Sequence, residues 1–154
     1  MQKVLIAVDD TTGTKKAFST YTNFCACMRP KAISLVYVEK FEGNKSLIDE
    51  MLGAAEMATL KDVLKGTEYQ RALDKKAQKI LTHYKTILEQ KGLKGIKTII
   101  RKGHPAEELL KTAKEVKADL IIVGSRGRRT TRLFMGSVSR EVVDSADVPV
   151  LVVK

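Results

Sequence analysis

Apolar and polar positions in this chain switch repeatedly between two periodicities. Lys3 to Val8 (KVLIAV) is an almost continuous apolar run closed by Asp9 and Asp10, the pattern of a strand buried on both faces. From Thr12 the spacing predicts a helix with Ala17, Tyr21, Phe24 and Met28 on one face, ended by Pro30. Ala32 to Val38 (AISLVYV) reads as a second strand. Between Glu39 and Gly66, Gly43 and Asn44 mark a loop, while Ile48, Met51, Leu52 and Ala55 form a helical stripe; we read the segment as a variable helical insertion. From Thr67 to Lys91 the residues Tyr69, Leu73, Ala77, Ile80, Tyr84 and Ile87 recur at helical spacing, predicting a long amphipathic helix stopped by Gly92.

Ile96 to Ile100 (IKTII) is the third predicted strand. Pro105 suits the first turn of the helix that follows, since no intrahelical N–H is needed there, and Glu107 and Glu108 complement its positive end. Ala106, Leu109, Leu110, Ala113 and Val116 supply the expected buried face. Asp119 to Val123 (DLIIV) is the fourth strand, a glycine-rich loop follows, Ser137 to Ala146 is a short helix, and Val148 to Val153 (VPVLVV) is the fifth strand. Apolar strands alternating with amphipathic helices imply an α/β fold: a mostly parallel sheet with helices on both faces and right-handed crossovers. Such sheets bind ligands beyond the carboxyl ends of their strands, where the strand order reverses. Asp9 and Asp10 after strand one, and the glycine loop after strand four, leave toward that crevice.

Composition narrows the picture. A chain of 154 residues, 44% hydrophobic and 30% charged, can bury one core but not two comfortable ones. The five-residue apolar stretch of the opening MQKVLIAVDD meets two aspartates and has no small-residue cleavage site after it, so no signal peptide is expected and the chain is placed in the cytoplasm. Cys25 and Cys27 fit neither a CxxC redox pair nor a zinc half-site, and both are expected to be buried small hydrophobes. The formal charge of +10 attracts phosphates of any kind, from nucleotide to nucleic acid to membrane. Tyr and Phe number four each, Trp is absent, and none is interleaved with basic residues as a base-stacking platform requires. Nucleic acid is therefore the weaker reading.

The stretch from Gly124 to Val138 and Ser139 reads GSRGRRTTRLFMGSVS. Glycines at 124, 127 and 136 allow main-chain N–H groups to approach an anion. Gly136, Ser137 and Val138 open a helix whose unpaired N–H groups and dipole favour a phosphate. Arg126, Arg128, Arg129 and Arg132 add positive charge. The combination describes a phosphate cradle, with an ordinary basic surface loop as the bland alternative. There is no GxxxxGK[ST] sequence and no GxGxxG after strand one.

VDDTTGTKKAF, GHPAEELLKTAKEVKADLIIVGSRG and GSVSREVVDSADVPVLVV together resemble the universal stress proteins. The resemblance covers nearly the whole chain, 1–154 as one domain, and is weakest at the 39–66 insertion. It implies a three-layer Rossmann-like fold of the adenine nucleotide alpha hydrolase type with strand order 3-2-1-4-5, and it points to ATP as ligand. Family members that bind ATP carry Gly, two residues, Gly, nine residues, then Gly with Ser or Thr; here only eight residues separate Gly127 from Gly136 and Ser137. The resemblance would set Asp9 near the ribose or adenine, with Ala7 and Val8 lining that pocket and Val38 against the base. Gly124, Ser125, Arg126 and Gly127 would follow the ribose and first phosphates, and Gly136, Ser137 and Val138 the outer ones, with Ser139 as a further candidate. Mg²⁺ or Mn²⁺ would accompany ATP through phosphate oxygens and water; no dedicated protein metal site is visible. An apolar strand at the sheet edge needs a cover, and the resemblance implies that this cover is the same strand of a second subunit, a homodimer through Val148 to Val153. A dimer that does not bind ATP is the alternative that the shortened loop keeps open.

Other residues are read more plainly. Paired acids after strand one also hold Mg²⁺ in phosphoacceptor receivers, but strand three here runs into Arg101 and Lys102, where a receiver needs an aspartate. His104 is expected to cap a helix or sit in a loop, and His83 flanks the apolar face of the long helix. No nucleophile has a positioned base, so no catalytic residue is assigned.

Overall fold

The computed structural model describes residues 2–39, 59, 67–125 and 135–154. Its elements in chain order are β1 (Lys3–Ala7), α1 (Thr12–Met28), β2 (Ala32–Glu39), α2 (Glu68–Gln90), β3 (Ile96–Lys102), α3 (Pro105–Val116), β4 (Leu120–Gly124), α4 (Ser137–Ser145) and β5 (Val150–Val153). The five strands form one sheet in the order β3-β2-β1-β4-β5, and every pairing is parallel. The helical stripe Ile48, Met51, Leu52 and Ala55 of the predicted insertion lies outside the described residues.

The central strand explains the layers. Side chains alternate across a strand, so Val4 and Ile6 enter the core beneath α1 and α2, while Leu5 enters the core beneath α3 and α4. Leu5, Ile6, Ile33, Leu35 and Ile122 have no exposed surface. Register is set on both sides of β1, with Ile6 opposite Leu35 on β2 and Ile122 on β4. The carboxylate of Asp119 accepts hydrogen bonds from the N–H groups of Gln2 (2.6 Å) and Lys3 (2.8 Å), which pins the starts of β4 and β1 together and holds its acid below the usual range. Asp119 was expected inside strand four and instead precedes it as this staple.

Helix faces shift slightly from the predicted stripes. In α1 the buried line is Ala17, Phe18, Tyr21 and Cys25, and Phe24 is exposed. In α2 Ala77, Leu81, Tyr84 and Leu88 are buried, and the expected Ile80 and Ile87 flank them as partly buried neighbours. In α3 Thr112 is fully buried beside Ala106, Leu109 and Ala113; its hydroxyl donates to the Glu108 carbonyl (2.6 Å) and accepts from Arg101 Nε (3.0 Å). These two bonds make a polar side chain tolerable there. Strand β3 runs two residues beyond its apolar core, because Arg101 and Lys102 pair with Val38 and Glu39. Strand β5 starts at Val150 rather than Val148; Pro149 cannot donate to a ladder, although its carbonyl accepts from the Ile121 N–H. Before β3, Gly95 has φ +68°, and a Cβ there would lie 2.4 Å from the Lys31 carbonyl oxygen, so only glycine fits that turn.

The two cysteines part company. Cys25 is buried, and burial pushes its thiol up to about 11, whereas Cys27 is exposed, correcting the expectation that both are internal. The reactive species is the thiolate, so an alkylating reagent at neutral pH should modify Cys27 in the native protein and Cys25 only after denaturant unfolds it. Peptide mapping of the labelled sites checks this; equal labelling rates under native conditions would contradict the burial of Cys25.

Candidate functional site

In a parallel sheet all strands end at the same edge, and each helix that follows a strand begins there. The mouth of the candidate site is where β1 and β4, neighbours in the sheet, send their chains to opposite faces: β1 into α1, and β4 through the glycine-rich loop into α4. Three residues past the paired Ile6 and Ile122 stand Asp9 and Ser125.

Asp9 organises the β1 side. Its Oδ1 accepts from the Thr11 N–H (2.8 Å), the Thr11 hydroxyl (2.6 Å) and the Thr14 hydroxyl (2.6 Å). Thr11 in turn is the N-cap of α1, accepting from the Thr14 N–H at 3.3 Å. One carboxylate oxygen thus orders the turn from β1 into α1 by charge-assisted hydrogen bonds. The Tyr84 hydroxyl donates to the Asp9 carbonyl at 3.3 Å, tying α2 to the same turn. Burial pushes the Tyr84 phenol up to about 12, with Asp9 and Asp10 adding to the shift. Burial also raises the Tyr21 phenol above its ordinary range, again helped by Asp9. Asp10 pairs with Lys76 at 2.7 Å.

The β4 side is closed by backbone. Gly124 still belongs to the ladder, opposite Val153, and the Ser125 N–H donates to the Val153 carbonyl at 2.7 Å. The Gly136 N–H then donates to the Ser125 carbonyl, also at 2.7 Å, so the two ends of the loop meet. The buried Ser139 hydroxyl donates to the Gly136 carbonyl (2.9 Å) and lies 3.4 Å from the Ser125 carbonyl. Gly136 is the N-cap of α4 and offers no side-chain acceptor, so the N–H groups of Ser137, Val138 and Ser139 point out of the helix end without intrahelical partners.

The predicted site residues therefore fall into groups. Ser125, Gly136 and Ser139 are brought together by hydrogen bonds, with Gly124 and exposed Ser137 next to them in the chain. Arg126 and Gly127 lie outside the described residues. The side chains of Ala7, Val38 and Val138 pack against the core under α3 and α4, and Val8 is buried in the other core, so these positions offer main chain to the mouth. The two described glycines of the loop, Gly124 and Gly136, do not use the conformational freedom that a glycine offers. Gly136 has φ −63°, and Gly124 is absent from the positive-φ residues, so their contribution is the lack of a side chain.

Sequence reading missed Glu39 at the end of β2. It is 6% exposed; its Oε2 accepts from Gln70 Nε2 at 3.2 Å and lies 3.6 Å from Lys102 Nζ, while its buried Oε1 has no hydrogen-bond partner. The signal available was an acid directly following a strand. A groove of about 430 Å³ lined by Phe18, Tyr84, Ile87, Lys15 and Lys91 runs between α1 and α2. It is not the mouth, because it includes none of the residues at the ends of β1, β2 or β4.

A model of the family described as the universal stress protein family matches residues 1–154. The chain belongs to the universal stress protein family. The stress response protein NhaX of Bacillus subtilis is 26% identical over 163 aligned positions, covering 99% of this chain and 97% of the relative. The solved structure of MJ0577, a universal stress protein of Methanocaldococcus jannaschii, superposes with a TM-score of 0.77 at 27% identity, covering 99% of this chain and 95% of that one. A universal stress protein of Arabidopsis thaliana solved with AMP bound superposes with a TM-score of 0.67 at 22% identity, over 100% of this chain and 92% of that one. These likenesses agree with the Rossmann-like sheet order described above.

Two outcomes follow from the β1 side. Replacing Asp9 by Ala removes three hydrogen bonds to a charged acceptor, and urea unfolding should show a loss of about 2 kcal/mol. Tyr84 ionises near 10 when unfolded but about 12 when folded, so its contribution to stability is complete below pH 10 and lost as pH rises through 12. Tyr84→Phe should therefore flatten the alkaline fall in stability across that window, measured by thermal melts at stepped pH.

Proposed function

We propose that this universal stress protein binds an adenine nucleotide, ATP, across the β1/β4 mouth and acts as a dimeric stress-response or signalling module rather than as an enzyme. The observation that carries this reading is the closure of the loop on itself by the Gly136 N–H to Ser125 carbonyl bond. That bond presents the start of α4, at Ser137 to Ser139, as an anion-binding terminus beside the end of β1. In this reading the N–H groups of Ser137 and Val138 and the Ser137 hydroxyl take the outer phosphates. Gly124, Ser125, Arg126 and Gly127 follow the ribose and first phosphates, and Asp9 meets the ribose or base through Oδ2, since Oδ1 is committed to Thr11 and Thr14. Ala7, Val8 and Val38 contribute main chain, and Ser139 holds the loop closed. Mg²⁺ or Mn²⁺ enters with the triphosphate, held mainly by its oxygens and water. A structural relative that holds AMP supports the nucleotide class.

No described side chain is placed as a base beside Ser125 or Ser137, which supports a ligand that changes shape or partner choice over one that is rapidly consumed. The edge strand β5 pairs only with β4 among the described residues and is the surface we assign to homodimer formation, through Val148 to Val153. The cytoplasm is the compartment in which such a module would work. The loop that is one residue short of the ATP-binding pattern favours, as a second reading, a dimer of the same fold that holds no nucleotide.

The test is direct. Purified protein is precipitated with acid and the released nucleotide identified by chromatography, and Mg-ATP is titrated by calorimetry into wild type, Gly127→Val and Gly136→Val, with circular dichroism confirming that each variant folds. Saturable binding in the wild type that falls at least about tenfold in both variants is expected, a loss of about 1.4 kcal/mol. Nucleotide-free protein that gives no heat with Mg-ATP would leave the second reading in place.

A further inference from the structure

Outside the mouth, a second group of side chains converges. His104 is the N-cap of α3, but its ring makes no capping hydrogen bond to the helix. Glu107 follows three residues later, one helical turn on and on the same face. Helix α4 packs beside α3 and brings up Glu141, whose Oε1 lies 3.5 Å from His104 Nδ1. One donor atom from each of the three residues falls within 4.8 Å of the other two.

We propose that His104, Glu107 and Glu141 form a binding site for a divalent transition metal, with Zn²⁺ as the ion of best fit. The donor set is one imidazole nitrogen and two carboxylate oxygens. With Zn–N and Zn–O bonds of about 2.1 Å, tetrahedral ligand atoms stand about 3.4 Å apart; the His104 to Glu141 pair already has nearly that separation. The side chains of His104 and Glu141 are 44% and 42% exposed, so small rotations in solvent complete the approach without disturbing the core. Imidazole selects Zn²⁺, Co²⁺ or Ni²⁺ over Mg²⁺ and Ca²⁺, which prefer oxygen alone. Two carboxylates balance the ion's charge and outweigh the unfavourable positive end of α3. Three protein ligands leave a fourth position for water or a small anion. The site uses none of the residues assigned to the nucleotide, and it stands or falls without that reading.

The metal-stripped full-length chain should be titrated with Zn²⁺ by calorimetry and with Co²⁺ by visible absorption, in the absence of nucleotide. Wild type is expected to take up one ion with a Co²⁺ spectrum of low coordination number. His104→Ala and Glu141→Gln should each weaken binding by more than about tenfold and Glu107→Gln by a smaller factor, with circular dichroism in the metal-free state showing that each variant is folded. Cys27→Ser, which removes the exposed thiol as a rival ligand, should leave the affinity as it is, and excess Mg²⁺ should not compete. No Zn²⁺ uptake by the wild type, or uptake that survives the His104 and Glu141 changes, or uptake lost with Cys27, would overturn the proposal.

Discussion

Everything in this molecule hangs on a five-residue strand whose middle three residues have no solvent side. Strand β1 is paired along both edges and covered on both faces, with Val4, Leu5 and Ile6 at 1% exposure or less. A strand so placed must be apolar at its covered positions, and its polar neighbours fall at its ends: exposed Lys3 at the start and Asp9 and Asp10 beyond the other end. The parallel pairing of β1 with β2 on one side and β4 on the other then forces α1 and α4 onto opposite faces, and the gap between their starts is the mouth.

The mouth is held open by two different devices. On the β1 side one carboxylate oxygen gathers three donors, an arrangement that concentrates the order of the turn on a single side chain. On the β4 side the clasp among the described residues is the Ser139 hydroxyl together with main-chain bonds in which the Ser125 N–H donates to Val153 and the Gly136 N–H donates to Ser125. These bonds extend the β4–β5 ladder beyond the last sheet residue, so the edge strand at the end of the chain helps to shape the site. Any change that loosens β5 would be felt at Ser125 before it reached the core.

The fold was legible because both periodicities are strong. Five apolar runs and the intervening helical stripes identify every described element to within a few residues at each end. What sequence reading misplaced was rotation and role. The α2 stripe was centred on Ile80 and Ile87, because Leu81 and Leu88 offer the same period one position along, and only packing under the sheet chooses between them. Phe24 fits the predicted stripe of α1 but is exposed, and the neighbouring Cys25 takes the buried position. Thr112 and Glu39 are polar and therefore invisible to a hydrophobic pattern; each is buried by a partner distant in sequence. The glycines and arginines of the loop suggest an anion cradle, but the bond that closes its ends joins two backbone atoms eleven positions apart, and no residue type announces such a bond.

That closure changes the meaning of the missing residue. Eight residues rather than nine lie between Gly127 and Gly136. In a flexible loop the difference alters the entropy of closure by only about 0.1 kcal/mol, far less than the contribution of a single hydrogen bond, about 1 kcal/mol. Chain entropy therefore does not decide whether the loop can form its mouth. The mouth is fixed by Ser125 and Gly136, which are joined directly, and the missing residue shortens only the span between Gly127 and Gly136. Under the proposed nucleotide reading, a shorter span would discriminate by the length of the phosphate chain before it discriminated by the base. The four arginines at 126, 128, 129 and 132 would then act in the opposite sense, because attraction between a cluster of cations and an anionic chain grows with each phosphate added. In that reading the two effects meet at the number of phosphates bound, while the β1 side, with Asp9 held by Thr11 and Thr14, is the same for either outcome.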